Sequence, residues 1–402
     1  MALLSVAEAL ARVLEHAAPL PAEEAPLAEA DGRVLAHPLK ARRTQPPADV
    51  SAMDGYAVRS ADVANAPVRL MFIGEVAAGR PFSGTVGPGE AARIFTGGVV
   101  PDGADTIVIQ EQTKRGSDSV EVQKPSAKGR HIRVEGLDFK AGDVLLTAGH
   151  RLTPRDLMFA AAMNHPLVPV HRRPKVALFA TGDELVSPGV EPASGQIVSS
   201  NTFALAALAR AQGANVTDLG IVGDQLDATV AAVRRARELN ADILVTSGGA
   251  SVGDYDLVQK AFAAEGMTLS FWRLALRPGR PLMHGRLGSM HVLGVPGNPV
   301  SAFVCAFLFL VPLIRRLSGR DDLAPAVESA MLGCDLPEND ERADYLRATL
   351  TNGPRGLIAT PFPVQDSSMI APLAKADCLV VREPYEPAAN AGSLCRIIKF
   401  ER

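Results

Sequence analysis

Cysteine is scarce in this 402-residue chain: Cys305, Cys334, Cys378 and Cys395 lie far apart and form no CxxC pair. That excludes a zinc knuckle and a disulfide framework, and it fits a reducing compartment. An excess of either charge is also missing. Lys and Arg number 41 against 44 Asp and Glu, and the resulting net charge of −3 disfavours a nucleic-acid binder held by bulk electrostatics. The longest apolar run, Ala302 to Ile314, contains Pro312 and falls short of the ~20 residues needed to span a bilayer. The opening segment MALLSVAEALARVLEHAAPLP sets Glu8, Arg12 and Glu15 among its leucines at helical spacing, so it reads as an amphipathic helix and not a signal peptide. A cytoplasmic protein without nucleic-acid or membrane partners is expected. No Gly-Lys-Ser/Thr, GxGxxG or HExxH occurs, and the eight histidines show no paired ligand spacing. Ordinary nucleotide hydrolases, dehydrogenases and protein-built zinc sites lose ground accordingly.

What is present is a 47% apolar composition, enough for a core in each of several domains of about 100 to 200 residues. Up to about residue 45 a helix is followed by irregular structure too short to bury its own apolar face. Residues 46–137 carry short β-rich runs, Val68 to Ile73, Ala92 to Phe95 and Thr106 to Gln110, separated by Gly and Pro. Residues 138–172 resume a mixed pattern and are expected to pack with 1–45 as one discontinuous domain interrupted by a β-rich insert. Residues 173–320 alternate strand and helix, which implies a three-layer α/β domain with a mostly parallel sheet and a ligand site beyond the carboxyl ends of its strands. Residues 321–402 suggest a small C-terminal β-barrel.

Three loops of the α/β domain place Gly beside polar residues: Thr181-Gly-Asp-Glu-Leu185, Thr246-Ser-Gly-Gly-Ala-Ser-Val-Gly253, and Gly294-Val-Pro-Gly-Asn-Pro-Val-Ser301. Adjacent glycines let backbone N–H groups approach an anion, although a tight turn without a ligand has the same appearance. Asn298 before Pro299 has the form of a helix N-cap as well as of a ligand contact, and Glu184 that of a first-turn acid. Arg273, Arg277 and Arg280 gather near one Pro-Gly corner, where guanidinium groups recognise oxyanions or form a solvated basic edge. The acids Asp54, Asp138, Asp224, Asp254 and Asp256 sit in loop contexts. There they could hold Mg²⁺ against phosphate oxygens, or serve as ordinary turn acids.

Five short motifs in order resemble the molybdopterin molybdenumtransferase family, whose vertebrate relative forms the C-terminal part of gephyrin. They are Ser51-Ala-Met-Asp-Gly-Tyr-Ala57, Ile94-Phe-Thr-Gly97 with Pro101-Asp-Gly-Ala-Asp105, Ala180-Thr-Gly-Asp-Glu-Leu185, Ser247-Gly-Gly-Ala-Ser-Val-Gly253, and Val295-Pro-Gly-Asn-Pro-Val-Ser-Ala302. The resemblance implies a homodimer of four-domain subunits in which the α/β domain of one faces the insert of the other. It implies insertion of molybdate into the dithiolene of adenylyl-molybdopterin with release of AMP, assisted by Mg²⁺, with a molybdopterin adenylyltransferase as a further partner. Carried over by position, Asp54, Asp138 and Asp224 are the expected catalytic and metal-holding acids. Thr96, Arg133, Glu184, Ser247, Gly248, Gly249, Ser251, Gly253, Asp256, Pro296, Asn298 and Ser368 are expected to hold substrate. Arg273, Arg277 and Arg280 stand where the family commonly has lysines. Because Arg stays protonated, they are assigned to anion binding and not acid catalysis. The alternative readings are a molybdopterin adenylyltransferase, which needs only the α/β domain, and a non-catalytic gephyrin-like scaffold, which need not keep the acids.

Overall fold

The computed structural model describes residues 3–248 and 257–400. The α/β domain explains its own construction. In the strand Lys175–Thr181 every residue after Lys175 is buried, so both faces of this strand meet protein. Val176 and Leu178 face the helices Asn201–Ala211 and Pro299–Cys305, while Ala177 and Phe179 face Leu226–Glu238 and Leu257–Ala264. The strand order is Asn215–Val222, Lys175–Thr181, Ile243–Ser247, Met290–Val295, Met283–Leu287, Thr268–Phe271. The first four are parallel, as the apolar runs lead one to expect. The last two form an antiparallel edge that makes the sheet mixed. That edge is short and interrupted by Gly285, and its pattern does not announce a strand.

The helix from Pro299 to Leu317 runs for 19 residues and is long and apolar enough to cross a bilayer, but 89% of its most apolar 18-residue stretch is buried inside the fold. It is a core helix. Pro312 does not end it, because Ala306–Leu310 switch to π-type bonding just ahead, loosening the turn that the proline ring would otherwise strike.

Residues on either side of the insert share a core of Ala25, Leu35, Leu39, Phe139, Leu152, Ala160 and Val168. Antiparallel pairing joins Ala22–Pro26 to Leu167–His171 and Leu39–Lys40 to Val144–Leu146. The first helix, Val6–Leu14, closed by a Ser5/Glu8 capping box, does not join them. Its buried Ala9 and Val13 enter the α/β core beside Leu313 and Leu317. The expectation that all of residues 1–45 pack with 138–172 is corrected to that extent: an amphipathic stripe shows that a helix needs a partner, not which one.

The insert folds as a six-stranded sheet ordered Thr106–Ile109, Gly55–Val58, Glu90–Ile94, Val68–Val76, Ser119–Val122, Thr113–Arg115. Toward the C-terminus, Ala343–Gly353, Gly356–Pro361, Val327–Leu332, Leu394–Lys399 and Cys378–Arg382 close into a five-stranded barrel. A two-residue strand of the α/β domain, Leu276–Arg277, pairs in parallel with the barrel at Ala343 and Asp344.

Candidate active site

At the carboxyl ends of the parallel strands lies a crevice of about 890 Å³. Thr181 ends and Gly182 and Glu184 follow the strand Lys175–Thr181, Ser247 ends and Gly248 follows Ile243–Ser247, and Pro296, Gly297 and Asn298 follow Met290–Val295. The three glycine-bearing loops therefore converge. Gly248 has φ +94°, and a Cβ there would lie 2.5 Å from the carbonyl of Thr181, so this close approach of two strand ends requires glycine. Gly249, Ser251, Gly253, Asp254 and Asp256 lie outside the described residues.

Asp224 lines the crevice and is tied to the first strand end. It accepts from Thr181 Oγ1 at 2.8 Å, and its own N–H donates to Asp183 Oδ1 at 3.0 Å. Asn201 bridges the other two loops, donating to Ser247 Oγ and to the Gly297 carbonyl. Asn298 sits at the N-cap position of the core helix but does not cap it with its side chain; it donates instead to Ser367 Oγ at 2.9 Å. That contact brings a barrel loop to the crevice, where Ser368 and Ile370 complete the wall. The loop is held from behind by Arg347, a guanidinium 1% exposed inside the barrel. It donates to Gln365 Oε1 and to the carbonyls of Asp366 and Met369. Sequence reasoning missed Thr181, Asp183, Asn201, Ser367 and Arg347 as site residues. For Arg347 a signal existed: it interrupts the run Tyr345-Leu-Arg-Ala-Thr-Leu350 with a charge.

The insert carries a separate group. Asp54 stands at the entry of the buried strand Gly55–Val58 and accepts from both the backbone N–H and the Oγ1 of Thr96 at 2.8 Å. Those bonds, from the Thr96 backbone first, hold its carboxyl below the usual range. Arg93 reinforces the charge from between the rings of Tyr56 and Phe95, 5.1 Å from each. Arg133 pairs with Val50 in a separate two-stranded ladder, and Asp138, at the chain's exit from the insert, is exposed. None of these residues is among those lining the crevice, whose described walls come from the α/β domain and the barrel loop alone.

The basic segment is not the cluster that its spacing suggests. The exposed Arg273 stacks on Trp272 with its guanidinium 4.9 Å from the ring, and the exposed Arg280 adjoins the crevice residue Pro281 without lining the crevice itself. Arg277 is spent on the barrel. Its guanidinium donates to Asp344 through two nitrogens, to Asp340 at 2.8 Å and to Asn339 at 3.1 Å. Hydrogen bonding to Asp344, foremost, raises its pKa further. The assignment of Arg277 to anion binding is therefore corrected, because two carboxylates already occupy the fork a ligand oxyanion would need. Arg277→Ala leaves Asp344, 7% exposed, without its cation. The expected result is a loss of about 2 kcal/mol in urea unfolding, with Arg277→Lys intermediate. An unchanged midpoint in Arg277→Ala would restore the ligand-binding assignment.

Against this geometry, the chain is 34% identical to the molybdopterin molybdenumtransferase of Haemophilus influenzae over 99% of both chains. The chain belongs to the molybdopterin molybdenumtransferase family. The Bacillus subtilis molybdopterin molybdenumtransferase is likewise 34% identical, covering 94% of this chain and 90% of that protein. Three regions match by description: MoeA N-terminal region (domain I and II) over residues 4–164, probable molybdopterin binding domain over 177–316, and MoeA C-terminal region (domain IV) over 329–400. The crystal structure of the molybdopterin biosynthesis moeA protein from Pyrococcus horikoshii OT3 superposes with a TM-score of 0.83 at 28% identity, covering 99% of this chain and all of that one. The chain is thus a transferase, and the strand-end walls of the crevice, from Thr181 to Asn298, lie within the region matched as a probable molybdopterin binding domain.

Proposed function

We propose that this transferase inserts molybdate into the dithiolene of adenylyl-molybdopterin, releasing AMP and leaving molybdenum cofactor. The observation that carries this reading is the convergence of Glu184, Asp224, Ser247, Gly248 and Asn298 on one crevice within the region matched as a molybdopterin-binding domain. Glycine-rich strand ends suit the anionic part of the substrate, and apolar walls suit its ring system.

The acids fit Mg²⁺. This ion takes one or two carboxylates together with substrate phosphate oxygens and keeps several waters, so an all-protein cage is not needed. Among the described residues no three acids, histidines or cysteines gather around one point of a single chain. Asp54 receives both Thr96 bonds on Oδ1, leaving Oδ2 for a ligand, and Asp224 Oδ2 meets only the Asp183 N–H at 3.4 Å. Asp54, Asp138 and Asp224 would hold the ion, which when bound neutralises charge building on the phosphoanhydride oxygens. Glu184, Ser247, Asn298 and Ser368 position the substrate.

The working unit in this reading is a cytoplasmic homodimer in which the insert of one subunit covers the crevice of its partner. Two observations support it. The Asp54 group does not line the crevice of its own chain, and exposed apolar residues surround both halves: Met53, Val99, Val134 and Leu137 on the insert, and Ile197, Val198 and Ile370 at the crevice.

The test is AMP release from adenylyl-molybdopterin with and without molybdate. Release should require molybdate, and Asp54→Asn should lower it by about 100-fold or more while melting within a few degrees of wild type. Molybdate-independent release would sink the reaction, and normal turnover of Asp54→Asn at saturating Mg²⁺ would sink the role of that acid.

A further inference from the structure

A carboxamide offers two N–H donors and one carbonyl acceptor. Asn201, at the first turn of the helix Asn201–Ala211, spends both donors inside the protein. Its Nδ2 reaches Ser247 Oγ at 2.8 Å and the carbonyl of Gly297 at 2.7 Å. The Gly297 carbonyl can only accept, which fixes the orientation of the amide and leaves Oδ1 as the one group Asn201 has for a ligand. Because Ser247 Oγ receives a hydrogen from Asn201, its own hydrogen is free to be donated. Both residues line the crevice. Together they leave an acceptor and a donor in a crevice that is also lined by the apolar residues Ile197, Val198, Leu257, Val258 and Ile370.

An anionic oxygen is repelled by a carbonyl oxygen, so Oδ1 does not serve the phosphate or an oxyanion. Its complement is an N–H, and the Ser247 hydroxyl calls for an acceptor next to it. A flat heterocycle carrying a ring amide supplies N–H and C=O side by side, and apolar walls accept its faces. We propose that Asn201 is a specificity-determining residue. Its Oδ1 accepts the ring-amide N–H of the bound pterin while Ser247 donates to the adjacent ring carbonyl. This rests on the reading that the substrate is a pterin, and deepens it by naming the part of the substrate that this wall reads.

The test compares two rings of the same size, pterin and 2,4-diaminopteridine, in which the ring-amide N–H and C=O are exchanged for an acceptor nitrogen and an amino donor. Binding to the full-length protein is followed by calorimetry or ligand-observed NMR. Wild type should prefer pterin by about fivefold to tenfold, the worth of a hydrogen bond replaced by an unsatisfied pair. Asn201→Ala and Asn201→Ser should weaken pterin and reduce the preference to less than about twofold. If Asn201 merely ties the two loops together, both rings weaken equally and the wild-type preference survives, which overturns the proposal. Equal binding of both rings to wild type overturns it without any variant. Binding of neither ring to wild type overturns the pterin reading on which it rests, an outcome distinct from equal binding of both.

Discussion

Mixing Asp54→Asn chains with Asp224→Asn chains, each inactive alone, should restore about a quarter of wild-type AMP release. In the proposed homodimer, random reassociation makes half of the dimers mixed. In a mixed dimer one cleft joins the two altered halves, and the other joins an intact insert to an intact crevice. Half of the dimers with half of their clefts working gives about one quarter, provided each acid contributes the two to three orders of magnitude typical of a group stabilising developing charge. The motivation is spatial: Asp224 lines the crevice and Asp54 of the same chain does not. Reassociation after mild denaturation, with dimer formation checked by sedimentation, is the measurement. No recovery from confirmed mixed dimers would mean that each cleft is completed within one chain.

Stability should fall on mild acidification because of His284 and His291. Both are 2% exposed, His284 on the antiparallel edge strand Met283–Leu287 and His291 on the neighbouring strand Met290–Val295, with their rings 5.8 Å apart and Phe271 5.6 Å from the first. Burial, followed by His291, Arg286 and His16, pushes His284 down to about 3. Burial, followed by Arg286 and His16, pushes His291 down to about 4 against the opposing pull of Asp242. In the unfolded chain each takes up a proton near pH 6.5. The folded pKa values are depressed, so the unfolded state binds more protons in this window. The stability that neutral imidazoles contribute is complete above about pH 6.5 and drains as pH falls toward 4 and 3. Between pH 7 and 5 the loss should reach about 2 kcal/mol for each histidine, read as a drop in urea midpoint. His284→Phe with His291→Leu should flatten that dependence. An unchanged pH slope in the double variant would place the acid sensitivity elsewhere.

Much of the fold was legible because it depends on local pattern. Val176 to Ala180 and Ile243 to Val245 are continuous apolar runs of strand length, which only a two-sided buried strand accommodates, and glycines at their ends mark where the chain must turn sharply. The edge strands Thr268–Phe271 and Met283–Leu287 were not legible. They are short, mix polar with apolar residues, and become strands only because a neighbour is there to pair with.

Within the site the same division holds, residue by residue. Asp54 and Glu184 stand in motifs that the sequence displays openly, and Gly248 is dictated by a backbone that leaves no room for a side chain. Arg277 shows the limit. Its place in a basic, Pro-Gly-rich segment suggests an anion site, yet a two-residue strand pairing sets it against Asp344 of a domain 67 positions further on. Asn201 reads as an ordinary helix start until two strand ends close around its amide. By itself the sequence determined which segments are buried, where the chain turns and which motifs the chain shares with its family, since these follow from side-chain hydrophobicity and backbone freedom over a few neighbouring residues. Only the tertiary structure decided which carboxylate each guanidinium meets, which core receives the first helix and which donors are left facing the crevice. Those depend on non-local register, and an ion pair or a hydrogen bond is specified by distances of a few ångströms that no local spacing encodes.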